Sequence, residues 1–232
     1  MRPLVGLLLL PFCCAATRSL AELLQAIQPE SYRVIPYSTW GLALGFSVWL
    51  LFFFCLPRPV RTYVLAHELT HALWGWVMGA EIKRLRVGRG GGSVVLTRNN
   101  FLITLAPYFF PLYTMLVLAA YGLLSLFRDL RPYEPLWMSL IGLTWAFHLT
   151  FTIATLMQHQ ADIRENGRLF SYAVIYLFNV LGIGLWIVLV GSPTLEAYSR
   201  AVFGESIRAW RVVGAAGGWI ARRLASLRPA GG

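Results

Sequence analysis

Charge is scarce in this chain. Only 13% of its 232 residues are charged, where a soluble domain of this length carries about a quarter. With a mean hydropathy of +0.62, that shortage argues against a water-soluble globular enzyme. Lysine is almost missing: Lys83 stands alone and every other basic residue is arginine. Cysteine is scarce as well. Cys13, Cys14 and Cys55 sit in apolar runs, adjacent cysteines do not readily pair, and no C-x-x-C spacing occurs. Neither a disulfide framework nor a cysteine-based zinc site is therefore encoded, and the three read as small apolar fillers. Gly88-Arg89-Gly90-Gly91-Gly92 lacks the Lys and Ser/Thr of a phosphate-binding loop. There is no internal repeat.

Apolar residues are abundant instead. They make up 57% of the chain, with 9 Trp, 10 Tyr and 14 Phe in long runs, which excludes disorder and points to a multi-pass integral membrane protein, placed in the cell membrane. The net charge of +10 comes from basic groups in the gaps between apolar runs. There they meet the headgroups of a lipid bilayer, and no nucleic acid partner is expected.

Five runs read as spans: Trp40 to Leu56, Thr62 to Ala80, Phe101 to Phe127, Leu136 to Met157 and Leu169 to Val190. The expected fold class is all-α, a polytopic transmembrane helical bundle of about five spans, with a small β-hairpin insertion near residues 82–97. In that insertion Ile82 to Val87 and Ser93 to Thr97 read as strands around the turn Gly88 to Gly92, with a flexible surface loop as the alternative. Residues 1–39 read as an N-terminal apolar segment plus an interfacial helix. The run Leu4 to Ala16 is too short to span and fits a cleaved signal, a re-entrant segment or an interfacial helix. Ser19-Leu20-Ala21-Glu22 then reads as a capping box, opening a short amphipathic helix that stops before Pro29. Residues 40–190 form the expected membrane-embedded core. Residues 191–232 form a basic tail with a possible amphipathic stretch around Ile207 and Trp210, weakened by glycines.

The chemistry gathers in His67-Glu68-Leu69-Thr70-His71. Positions i and i+4 of a helix share a face, so both imidazoles point one way. Together they form half of a tetrahedral zinc site, and Glu68 beside them is free to take a proton from a metal-bound water. An ionisable group within a span costs roughly 2.5–3.5 kcal/mol on insertion scales. Three such groups within five residues call for compensation, and a metal in a wet pocket is the simplest form of it. Hydrogen bonds between helices are the plainer alternative. A catalytic zinc needs a third protein ligand and one open position, and the candidates are Asp162, His148 and His159. Pro107 and Pro111 interrupt their span, either as a gate or broken helix beside the metal or as a kink needed for packing.

His67-Glu68-x-x-His71 inside a span, followed by a glycine-containing polar segment and further spans, resembles the site-2 protease family of intramembrane zinc metalloproteases. The resemblance covers roughly Thr62 to Asn179. It implies a zinc-dependent endopeptidase that hydrolyses a peptide bond in or near a transmembrane segment of a membrane-protein substrate, with Zn²⁺ as cofactor. It also implies an aspartate on a later segment as third ligand. Asp162, with Gly167 nearby, resembles that element, although no Asn-Pro precedes it and no glycine follows it directly. Glu68 is then the catalytic base and His67, His71 and Asp162 are the metal ligands. The family's short sheet implies a substrate received as an added strand. Simple alternation of spans, however, puts Asp162 at the surface opposite His67, and His148 is the better match in depth. A non-proteolytic membrane protein that binds or transports a divalent metal is the competing reading.

Overall fold

A computed structural model describes residues 2–26, 37–88, 91–158, 160–190 and 193–226. The described residues are mostly helical and carry one small antiparallel sheet: α1 (Arg2–Gln25), α2 (Tyr37–Cys55), α3 (Val60–Val77), β1 (Ile82–Gly88), β2 (Gly91–Leu96), α4 (Phe101–Leu105), α5 (Leu112–Ser125), α6 (Glu134–Leu156), α7 (Ala161–Asn166), α8 (Arg168–Val190) and α9 (Leu195–Ser226). Among them, three helical stretches are long and apolar enough to cross a membrane: Arg2–Gln25, Arg131–Leu156 and Arg168–Leu189. Two more pass that test only as bent pairs. Thr39–Cys55 and Val60–Val77 meet at 120°, and Phe101–Tyr108 and Leu112–Ser125 meet at 82°. The runs Trp40 to Leu56 and Thr62 to Ala80, expected as two separate spans, thus form one such pair. Prolines sit at both breaks, Pro57 and Pro59 at the first and Pro107 and Pro111 at the second, and each removes a helical donor and clashes with the preceding turn.

The chain divides into two compact units, residues 1–31 with 167–232 and residues 32–166. The second unit holds every residue of the candidate site. Its frame is the contact of α2 with α6, which is close because glycine lines it. A Cβ at Gly41 would meet the Pro135 carbonyl, one at Gly45 the Ser139 carbonyl, and one at Gly142 the Leu42 carbonyl. Small residues let helix backbones approach in this way. Next to this seam Trp49, Phe53, Ala146, Phe147 and Phe151 form a buried cluster, with Tyr63 of α3 packed against it. The Tyr63 ring lies flat on Phe151, centroids 4.7 Å apart and planes 6° apart. Trp49 Nε1 donates to Thr150 Oγ1 of α6 at 2.9 Å, which gives the one polar atom of that ring a partner. One turn after Tyr63 comes His67, so the aromatic cluster fixes the rotation of the motif-bearing helix.

At the other end of α3, Gly79 adopts φ +77°, and the Ala80 N–H bonds to the Gly75 carbonyl at 2.8 Å. This is a Schellman ending, which glycine supplies without strain. It turns the chain into the hairpin, whose strands pair Arg84 with Val95, Leu85 with Val94 and Arg86 with Ser93. The hairpin expectation therefore holds. Leu96 covers Gly75, and Gly92 lies against Val64 and Glu68, so β2 runs along the motif face of α3.

The first unit contains α1, α8 and α9 and departs from expectation in two ways. No new helix starts at Ser19. One helix runs from Arg2 to Gln25 through Pro11, with Gly6, Cys13, Ala15, Ala16 and Ser19 buried. The Ser19 hydroxyl donates to the Ala15 carbonyl one turn back, at 2.8 Å, so it is satisfied within the helix and has no capping role. Gly6 sits against the Phe170 backbone, and Thr17 and Tyr176 share a hydroxyl hydrogen bond of 2.7 Å. Residues 195–226 form a continuous helix despite their glycines.

The glycine seam yields a stability prediction. Gly45→Val should lower the thermal midpoint of the purified protein in detergent by several degrees, a cost of about 1–3 kcal/mol, because backbone atoms cannot move aside. Gly122, with open space around it in α5, is the control, and Gly122→Ala should melt at or above the wild-type temperature. Equal midpoints for Gly45→Val and wild type would contradict this packing.

Candidate metal centre

His67 and His71 lie one turn apart on α3 with ring centroids 4.8 Å apart and planes at 80°. Both Nε2 atoms face the same atom, Oδ2 of Asp162, at 3.4 Å from His67 and 3.7 Å from His71. Two donors each 2.0–2.1 Å from a tetrahedral ion stand about 3.4 Å apart, so these spacings suit an ion among the three. One ligand atom from each residue lies within 4.8 Å of the others, and the group could hold a metal ion. Asp162 reaches this position because α7 is a separate short helix that places it in its first turn. The depth conflict read from simple alternation disappears, since α3 is bent by 120° from α2 and the chain turns after α6 into α7.

Each ligand is held from behind. His71 Nδ1 is 2.8 Å from the Ile103 carbonyl of α4; its N–H donates there, which leaves the Nε2 lone pair for a metal. That carbonyl is available for a specific reason. In a continuous helix it would accept from the N–H of residue 107, and residue 107 is proline, which has none. The Asn100 side chain caps α4 by accepting from the Ile103 N–H at 3.0 Å. His67 Nδ1 lies 3.2 Å from the Tyr63 hydroxyl. Tyr108, on the turn Ala106–Tyr108 between α4 and α5, donates its hydroxyl to Asp162 Oδ2 at 2.9 Å. A hydroxyl donated to a carboxylate oxygen favours its ionised form, the one that a cation requires.

Glu68 stands outside this group of three. It is 7% exposed and faces β2, where the strand passes so close that only glycine fits at position 92. A cavity of ≈ 530 Å³ opens between the motif and the strand, lined by His67, Glu68 and His71, by residues 92–96 and by Asp162. A larger cavity, ≈ 890 Å³, lies among α1, α8 and α9. Its lining is almost entirely apolar and offers no cluster of ligating groups, so the chemistry belongs to the smaller one.

The structure thus brings together His67, His71 and Asp162, with Glu68 adjacent. It leaves His148 apart. That residue is 8% exposed in α6, lines a small separate cavity with His67 and Thr144, and its Nε2 has no hydrogen-bond partner among the described residues. His159 lies outside the described residues. Tyr63, Tyr108 and the Ile103 carbonyl were not singled out from the sequence. Tyr63 stands four residues before His67, a readable helical spacing, and Pro107 four residues after Ile103 marks the free carbonyl. Nothing local points to Tyr108. Comparison with protein-family models, curated proteins and solved structures finds no match, so the case for function rests on this geometry.

Two measurements follow. Elemental analysis of the purified protein should find about one bound divalent metal per chain, lost in Asp162→Asn and retained in His148→Ala; the reverse pattern would move the third ligand to α6. Pro107→Ala restores an N–H that competes for the Ile103 carbonyl, and metal affinity should fall by about tenfold, the lower end for loss of an outer-shell partner. Affinity unchanged in Pro107→Ala would remove the freed carbonyl from the account.

Proposed function

We propose that the chain is an intramembrane zinc metallopeptidase resembling the site-2 protease family, cutting a peptide bond in or near a transmembrane segment of a membrane-protein substrate. The observation that carries this reading is the convergence of two imidazole nitrogens and one carboxylate oxygen, with a second carboxylate beside them that is not needed as a ligand. Two histidines and one carboxylate form a donor set typical of catalytic zinc, which keeps a fourth position open. Residence in the bilayer is supported by the length and apolarity of the helices and by large apolar side chains left bare, among them Phe54, Leu126 and Leu189.

His67, His71 and Asp162 would hold the zinc ion, which when bound would supply an acidified water and a Lewis acid for the scissile carbonyl. Glu68 would take a proton from the attacking water on its carboxylate and deliver it to the leaving amine nitrogen, as base and then acid. Its place under β2 puts this proton carrier beside the strand that lines the cleft. Among the described residues β2 pairs with β1 alone, and an added strand suits a substrate that must unwind, because hydrolysis needs an extended backbone and strand pairing holds one. The cleft volume lies within the usual range of about 300–1,000 Å³ for small-ligand sites.

The test is a single-span reporter in proteoliposomes. Wild type should cleave it, and a zinc chelator should stop cleavage until zinc is restored. Glu68→Gln should lower the rate by about 10²–10⁴-fold with about one zinc still bound per chain. Full activity in Glu68→Gln would refute the mechanism. If the wild type moves zinc into the vesicles and leaves the reporter whole, the chain is a metal transporter instead.

A further inference from the structure

Tyr108 is fully buried, at 0% exposure, a costly place for a phenol unless its hydroxyl is satisfied. Its hydroxyl donates to Asp162 Oδ2, the same oxygen that both histidine Nε2 atoms face. Its ring also stands edge-on to the His67 ring, centroids 5.4 Å apart and planes at 87°. The residue therefore touches two of the three ligands, one by hydrogen bond and one by packing. The turn that carries it is set by proline at 107 within the turn and by Pro111 just before α5, so the hydroxyl is presented from backbone with little freedom.

We propose that Tyr108 is a positioning residue that commits Asp162 to the metal through one oxygen, Oδ2, and so keeps a coordination position open for water. The inference rests on the metal-site reading above. A carboxylate has two oxygens and about four lone-pair directions, and a cation can take one oxygen or both. A charge-assisted bond from a fixed phenol sets the plane of the Asp162 carboxylate. It takes one lone pair of Oδ2, the oxygen that faces both imidazole nitrogens. Turning the carboxylate to bring its second oxygen to the ion as well would strain that bond. The chemistry calls for this arrangement, because a third ligand that chelates with two oxygens would occupy the place that the attacking water needs.

Tyr108→Phe tests this, since it keeps the ring and removes only the hydroxyl. Purified full-length protein is loaded with zinc. Affinity is read by competition with a chromophoric chelator, and the number of nearest neighbours by zinc X-ray absorption. Tyr113→Phe, whose hydroxyl bonds the Thr62 carbonyl and which contacts none of the three ligands, is the control. In Tyr108→Phe, zinc affinity is expected to fall 10–100-fold, the usual cost of losing an outer-shell partner, with one added oxygen neighbour. Tyr113→Phe is expected to match wild type in both. Thermal midpoints of the metal-free proteins separate a fold defect from a ligand defect, and Tyr108→Phe is expected to keep its midpoint. A zinc affinity within twofold of wild type, or a lower affinity with unchanged coordination number, overturns the proposal. Zinc bound as described but no reporter cleaved would sink the peptidase reading and leave Tyr108 in its role, whereas a wild type that binds no zinc would sink both.

Discussion

A single oxygen, Oδ2 of Asp162, organises the second unit. It accepts the Tyr108 hydroxyl and faces the Nε2 atoms of His67 and His71. All four groups are polar and largely withdrawn from solvent, so each would cost free energy if left alone. Drawn together around one point they compensate one another, and a cation at that point would complete the compensation. The arrangement tolerates little slack, because metal–ligand distances vary by only about 0.2 Å. What remains to be explained is how a chain of this composition holds four side chains from three separate elements to that tolerance.

The answer lies in the packing around α3. The glycine seam of Gly41, Gly45 and Gly142 brings α2 and α6 to backbone contact. That contact fixes the aromatic cluster in which Phe151 receives the Tyr63 ring. Tyr63 in turn reaches His67. The other face of the same helix is set by the hairpin, through Leu96 on Gly75 and Gly92 on Glu68. The α3 helix is thus clamped against rotation from two sides, and a rotation of one residue, 100°, would carry both imidazoles away from Asp162. Interiors packed to this density transmit such constraints over several side chains.

Legibility from sequence followed the range of the interaction. The shared face of His67 and His71 was readable because helical spacing is local, and the hairpin was readable because its turn glycines separate two β-prone runs. The expected helix start at Ser19 failed although the local pattern was correct: Ser19 satisfies its hydroxyl at Ala15, and tertiary burial of the small residues before it favours one long helix. Asp162 was nominated by resemblance, but its depth argued against it. That argument assumed straight, alternating spans, and the assumption fails where α2 meets α3 and where α4 meets α5. Tyr108 was illegible, since its partner is far along the chain and no spacing rule connects them.

The two proline breaks therefore matter in the same physical way. Apolar helices long enough to cross a bilayer satisfy their own backbone groups and have no carbonyl to spare. A cluster of groups that could hold a metal ion needs the opposite: polar side chains held in place and aimed inward. Proline resolves this conflict by deleting one N–H, which releases one carbonyl at a defined place without any added polar side chain. At Pro107 the released carbonyl is that of Ile103, and it is spent on His71. The residue next to that proline is Tyr108, which supports Asp162. Breaking one helix thus supplies the orienting partners of two ligands, and the bend at Pro57 and Pro59 reorients the helix that carries the other two site residues, His67 and Glu68.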